Sequence, residues 1–188
     1  MRHFALAVLC GFSSLVWAQP SQEHQHHQRH QHHDHQTHPH HQHHGNEEHD
    51  PVDYSAAFAT ASLFEGVQVE QCWVRLLPAS VPSSGYFIIH NQTQEPIELL
   101  AAATPSYQHV MLHETIEADG MAKMQHIAKI DIKAQDSVSF EPGGMHVMYE
   151  QPTGTLEVGQ TMELELLFAG QKKVVAQCKV NEAKARSY

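Results

Sequence analysis

From Gly66 onward, apolar residues come only in short runs, and each run is closed by glycine, proline or another turn-forming residue. No stretch repeats apolar residues at the spacing of a helix face, so a helical bundle is excluded. Val67, Val69 and the Trp73–Val74 region read as one strand, and residues 85–89 and 97–101 as two more. Residues 110–116 and 121–130 flank Asp119-Gly120, a strong short-range hairpin signal. Residues 137–140 lead to the turn Pro142-Gly143-Gly144. Segments 145–149, 162–168 and 172–180 follow. Strands this short and this frequent predict an all-β sandwich or barrel. At roughly 115 residues the region is large enough for a two-sheet core.

The 65 residues before it have another character. Arg2 followed by the apolar run 4–16 and a small residue at Ala18 reads as a secretory signal over 1–18, cleaved after Ala18. That run is short for a bilayer span, and no later run approaches spanning length. Stable membrane insertion is therefore not expected, and export to the periplasm is. Residues 19–50 form a polar tract with thirteen histidines and, from 21 on, no apolar side chain: His24, His26, His27, His30, His32, His33, His35, His38, His40, His41, His43, His44 and His49. Such a segment cannot bury a core, and disorder is expected. Its imidazoles suit Cu(II) or Zn(II), which makes it an auxiliary metal-binding tract. Residues 51–65 read as a linker or short helical lead-in, 66–181 as the folded domain and 182–188 as a tail.

Removing the leader takes away Arg2 and no acid, leaving 10 cations against 21 acids, a formal charge of −11. A chain this acidic is a poor partner for nucleic acid. Of three cysteines, Cys10 leaves with the leader. Cys72 and Cys178 remain in an oxidising compartment, where a disulfide between them is expected. Two separate buried thiols or a thiolate metal site are the alternatives.

The hairpin carries the chemistry. With a two-residue loop position 113 faces 126, and with a four-residue loop it faces 124. Both registers put Met111, His113, Met124 and His126 on one face, because side chains alternate along a strand. His146 and Met148, two positions apart, also share a side, while Met145 and Val147 point the other way. Soft thioethers beside imidazoles suit Cu(I), whereas zinc sites use thiolate, imidazole or carboxylate.

His113, ten residues, Met124, twenty-one residues and then His146-Val147-Met148 resembles the metal-binding pattern of the PCuAC periplasmic copper chaperones. The surrounding text, Leu112-His113-Glu114-Thr115, Asp119-Gly120-Met121, Pro142-Gly143-Gly144-Met145 and Trp73-Val74-Arg75, is similar too, and the resemblance covers about residues 66–180. It implies a cupredoxin-like β-sandwich with a Cu(I) site at His113, Met124, His146 and Met148. It also implies delivery of copper toward the CuA centre of cytochrome c oxidase, with subunit II or a Sco-type thiol protein as acceptor. The chain departs from the family in carrying its His-rich segment at the N-terminus, and the Cys72–Cys178 pair lies outside the ligand pattern. Met111 and His126 are expected to pack near the site without binding metal, and His90 and His109 to be structural.

The chain lacks Gly-x-Ser-x-Gly, a phosphate-binding glycine loop and His-Glu-x-x-His, so an enzyme is not expected. A blue-copper electron carrier would need a cysteine thiolate beside its histidines. The expected function is a monomeric Cu(I) chaperone. The alternative is a protein that sequesters or scavenges copper or zinc, mainly through the histidine tract.

Overall fold

The computed structural model describes residues 52–118 and 120–188, so the leader and the histidine tract lie outside the described residues. One short helix, α1 (Ser55–Thr60), precedes eleven strands. These are β1 (Ser62–Leu63), β2 (Val67–Arg75), β3 (Ser83–Asn91), β4 (Ile97–Ala103), β5 (Tyr107–Ala118) and β6 (Met121–His126). They continue with β7 (Ile130–Ile132), β8 (Ser137–Phe140), β9 (Met145–Pro152), β10 (Thr161–Phe168) and β11 (Lys172–Asn181). No helix among the described residues is long and apolar enough to cross a membrane.

The strands hydrogen-bond in the order β6-β5-β9-β3-β2-β11-β10-β4-β7, with β1 beside β11 and β8 beside β3. The ladder is continuous, and it closes around a single core. Val74, Phe87, Ile89, Val147 and Tyr149 from its middle join Leu99, Ile132, Leu164, Leu166 and Phe168 from its far end in one buried cluster. Burial alternates along β10 and β11, as expected where one face meets the core and the other meets water. The fold is therefore the mostly β-strand, nearly helix-free architecture that the short punctuated runs predicted.

Three local features differ from the sequence reading or sharpen it. Residues 121–130 are not one strand. β6 ends at His126, and Ile130 and Ile132 turn away to pair with β4, where both are buried. Core burial of two isoleucines thus outweighs continuation of an exposed edge strand. Sheet pairing starts at Ser62, since β1 runs parallel to β11. On β2 the register against β3 shifts between Glu70 and Trp73, with Gln71 at φ 52°. This bulge brings Cys72 beside β11, where Cys72 and Cys178 form a disulfide with Cα atoms 4.4 Å apart. Gly85 on β3 is where the Tyr149 ring crosses, and any Cβ there would run into that ring.

Candidate metal centre

β5 and β6 are joined by a two-residue connection, because the ladder runs from Ala118↔Met121 to His113↔His126. Gly120 supplies a positive φ of 73° for the reversal, and Asp119 lies outside the described residues. β9 reaches the other side of β5, with His146 opposite His113 and Met148 opposite Met111. One face of the three strands therefore carries His126, His113 and His146 in a row. Met111 and Met148 form the next row, and Met124 sits opposite Thr115 on the other side.

The turn that launches β9 follows from its sequence. The Gly144 N–H donates to the Glu141 carbonyl at 3.0 Å, with Pro142 second and Gly143 third at φ 88°. Proline followed by a positive-φ glycine is the type II combination. After the turn, Val147 and Tyr149 enter the core with no exposed surface, which fixes His146 and Met148 on the opposite face.

His146 is 5 % exposed. Its Nδ1 lies 3.1 Å from the Gly144 carbonyl oxygen, which can only accept, so Nδ1–H donates. In the neutral ring this leaves Nε2 with the free lone pair, the usual way an imidazole is set for a metal. His113 is half-buried, and its Nδ1 is shielded from water without a hydrogen-bond partner among the described residues. A ring nitrogen in that state is costly, and a metal ion would satisfy it. Burial pushes the His113 imidazole below the ordinary histidine value. His146 and His126 push it further, against an upward pull from Glu150. The ring is thereby held in the neutral, metal-binding form.

Met148 is half-buried beside Met111, and Met124 is 67 % exposed on the edge strand β6. Among the described residues no group of three or more His, Cys, Asp or Glu side chains is arranged to hold a metal. The methionines on this face add thioether donors to its imidazoles, and thioethers select a soft ion. Met145 packs against the core. Met121 is exposed, with parity opposite to Met124.

Away from this face, His90 Nδ1 lies 2.7 Å from Ser137 Oγ and its Nε2 lies 3.3 Å from Glu70, which ties β3 to its neighbours. His109 is exposed opposite Glu150. Trp73 is buried against Tyr86, with the Arg75 guanidinium stacked over both rings. Met111 and His126 lie outside the ligand pattern, and strand parity placed both on this face. The two-residue-loop register forms, with His126 opposite His113, while the opposition of Met111 to Met148 is one the sequence left unread.

No curated protein sequence matches the chain. Among solved structures, the apo PmoF2 PCuAC domain superposes with a TM-score of 0.55 at 19% identity, covering 68% of this chain and 98% of that one. The copper-bound PCuAC domain from PmoF2 gives 0.53 at 19%, covering 65% and 97%. The solution structure of CuI-DR1885 from Deinococcus radiodurans gives 0.53 at 26%, covering 70% and 87%. The family model described as LpqE-like matches residues 67–180, more than half of the sequence. With strand order, turn and His/Met face all accounted for over that same span, the chain belongs to the LpqE-like (PCuAC) family.

Proposed function

We propose that the protein is a periplasmic copper chaperone that holds Cu(I) at His113, Met124, His146 and Met148 and passes it to a copper-accepting protein. The observation that carries this reading is the opposition of His113 and His146 across β5 and β9, each neutral imidazole having an uncommitted ring nitrogen, with thioethers on the same face. The Cu(I)-bound relative DR1885, 26% identical, supports it. Four neutral ligands leave the ion its full charge, and no ligand has to lose a proton for it to bind.

The arrangement favours carriage over catalysis. His146 is anchored by backbone and burial, whereas Met124 stands in solvent on an edge strand. An incoming acceptor thiolate can displace the exposed thioether first while the anchored ligands keep hold of the ion. Transfer then proceeds by ligand exchange toward the softer, charged donor. Cysteine acceptors such as those of a CuA centre in cytochrome c oxidase subunit II, or of a Sco-type protein, have this chemistry. The signal-like leader read over 1–18 supports export, and the exchange is proposed to take place in the periplasm.

A second reading has its own support in the thirteen histidines of residues 24–49: sequestration or scavenging of copper or zinc by the tract. Cu(I) titration of the full chain against a coloured chelator separates the two. One tight equivalent that is lost when Met124 and Met148 are both changed to Leu establishes the folded site. Binding indifferent to those methionines assigns the work to the tract.

A further inference from the structure

His126 lies outside the spacing that defines the Cu(I) ligands, yet it is the residue directly opposite His113 on β6. The Ile127 N–H donates to the Leu112 carbonyl at 2.9 Å, so the hydrogen-bonded pair of this ladder is Leu112/Ile127. His113 and His126 are consequently a non-hydrogen-bonded pair, the kind whose side chains come closest. Their ring centroids are 5.8 Å apart at 86°, matched on the other side by His113 and His146 at 6.0 Å and 81°. Met124 belongs to the next pair on the same face, opposite Thr115.

We propose that His126 is a further metal-contacting residue, and that the row His126–His113–His146 forms a nitrogen-rich ligand set for Cu(II) on the face that holds Cu(I) through thioethers. The inference rests on the reading of this face as a copper site. Cu(II) prefers imidazole nitrogens in a tetragonal arrangement and gains little from thioether sulfur, while Cu(I) has the reverse preference. A face with three imidazoles in one row and methionines in the adjoining rows offers each oxidation state its own subset, with His113 and His146 common to both. The three rings do not converge as they stand. His126 is exposed on an edge strand, so its ring can turn toward His113 without disturbing the core.

The test uses the full chain with the thirteen tract histidines changed to Gln, which removes competing Cu(II) sites while leaving the folded domain untouched. One equivalent of Cu(II) is added, affinity is measured by competition, and electron paramagnetic resonance counts the coordinated nitrogens. His126→Ala is expected to remove one nitrogen and to weaken Cu(II) at least tenfold more than it weakens Cu(I). An unchanged nitrogen count, an equal loss for both oxidation states, or no Cu(II) at this face in the parent chain would each overturn the proposal. Failure of the Cu(I) reading shows separately, as Cu(I) affinity indifferent to Met124→Leu and Met148→Leu.

Discussion

His113 and His146 face each other across β5 and β9 with ring centroids 6.0 Å apart, and each has one ring nitrogen uncommitted to the protein. The two are not equivalent. His146 is held by the Gly144 carbonyl and by burial, whereas His113 has no hydrogen bond at Nδ1 among the described residues and sits between two other imidazoles. Ligands held in advance lose little freedom on binding.

The methionines should therefore divide the labour unequally. Met148 is half-buried beside Met111, and Met124 is mostly exposed. Met148→Leu is expected to weaken Cu(I) by roughly tenfold or more, about 1.4 kcal/mol. Met124→Leu should weaken it less but slow transfer to a thiol acceptor, because the first ligand to be exchanged is gone. Chelator competition reads the first effect, and stopped-flow transfer to a dithiol peptide reads the second. Equal affinity losses with unchanged transfer rates would remove the distinction.

The lowered value of His113 gives a pH dependence of definite sign. Above the ordinary histidine value of about 6.5, the ring is neutral in folded and unfolded chains alike. As pH falls below that value, the unfolded chain takes up a proton at this position before the folded chain does. Stability contributed at His113 is thus fully present above about 6.5 and is lost as pH falls from there through the lower folded value. Proton-detected titration of the His113 ring should give a midpoint below the ordinary value, and Cu(I) affinity should hold steady above it. A midpoint at or above the ordinary value would contradict the burial and the His–His proximity that cause the shift. His126→Ala should move the midpoint upward, since one of the two repelling imidazoles is removed.

The hairpin was readable from sequence because its information is local. Asp119-Gly120 set the turn, and alternation put Met111, His113, Met124 and His126 on one side in either register. The neighbour of β5 on its other edge was not readable. That strand is β9, which begins more than twenty-five residues after β5 ends, and nothing in the local pattern specifies which distant strands pair. The ligand spacing could be matched to a family and a two-residue loop put His113 opposite His126, but the opposition of Met111 to Met148 and of His113 to His146 was not readable. Cys72 and Cys178, 106 positions apart, were expected to pair because they are the two cysteines left in an oxidising compartment, and the side-by-side course of β2 and β11 is what brings them together. Ile130 misled for a related reason. It prolongs an apparent strand in sequence, but a core position beside β4 holds it.

The disulfide lies between β2 and β11, and β3 separates it along the ladder from the His/Met face on β6, β5 and β9. Its contribution should therefore be to stability alone. Closing a loop of this length restricts the unfolded chain, and loss of such a bond costs about 2–5 kcal/mol. The Cys72→Ala, Cys178→Ala double variant should unfold at lower urea concentration while keeping its Cu(I) stoichiometry at neutral pH. Intact stability together with lost copper binding would show instead that the cysteines act at the metal.

The turn before β9 offers a test of how backbone geometry sets the site. Gly143 has φ 88°, and a Cβ built there would meet nothing within 4 Å, so any cost of Gly143→Ala comes from the backbone. For an L-residue forced into a positive φ that cost is about 1–2 kcal/mol. Gly144 has no positive φ, and a Cβ there would touch Glu141 at the ordinary contact distances of 3.6 and 3.7 Å. Gly144→Ala should therefore be nearly neutral. Because the Gly144 carbonyl holds the His146 ring, relaxation of the turn in Gly143→Ala should also loosen that hydrogen bond. The expected result is a lower unfolding midpoint and weaker Cu(I) binding for Gly143→Ala, with Gly144→Ala close to the parent in both. Were both variants equally stable and equally tight, the turn would not be what positions His146, and burial of the flanking Val147 and Tyr149 would suffice.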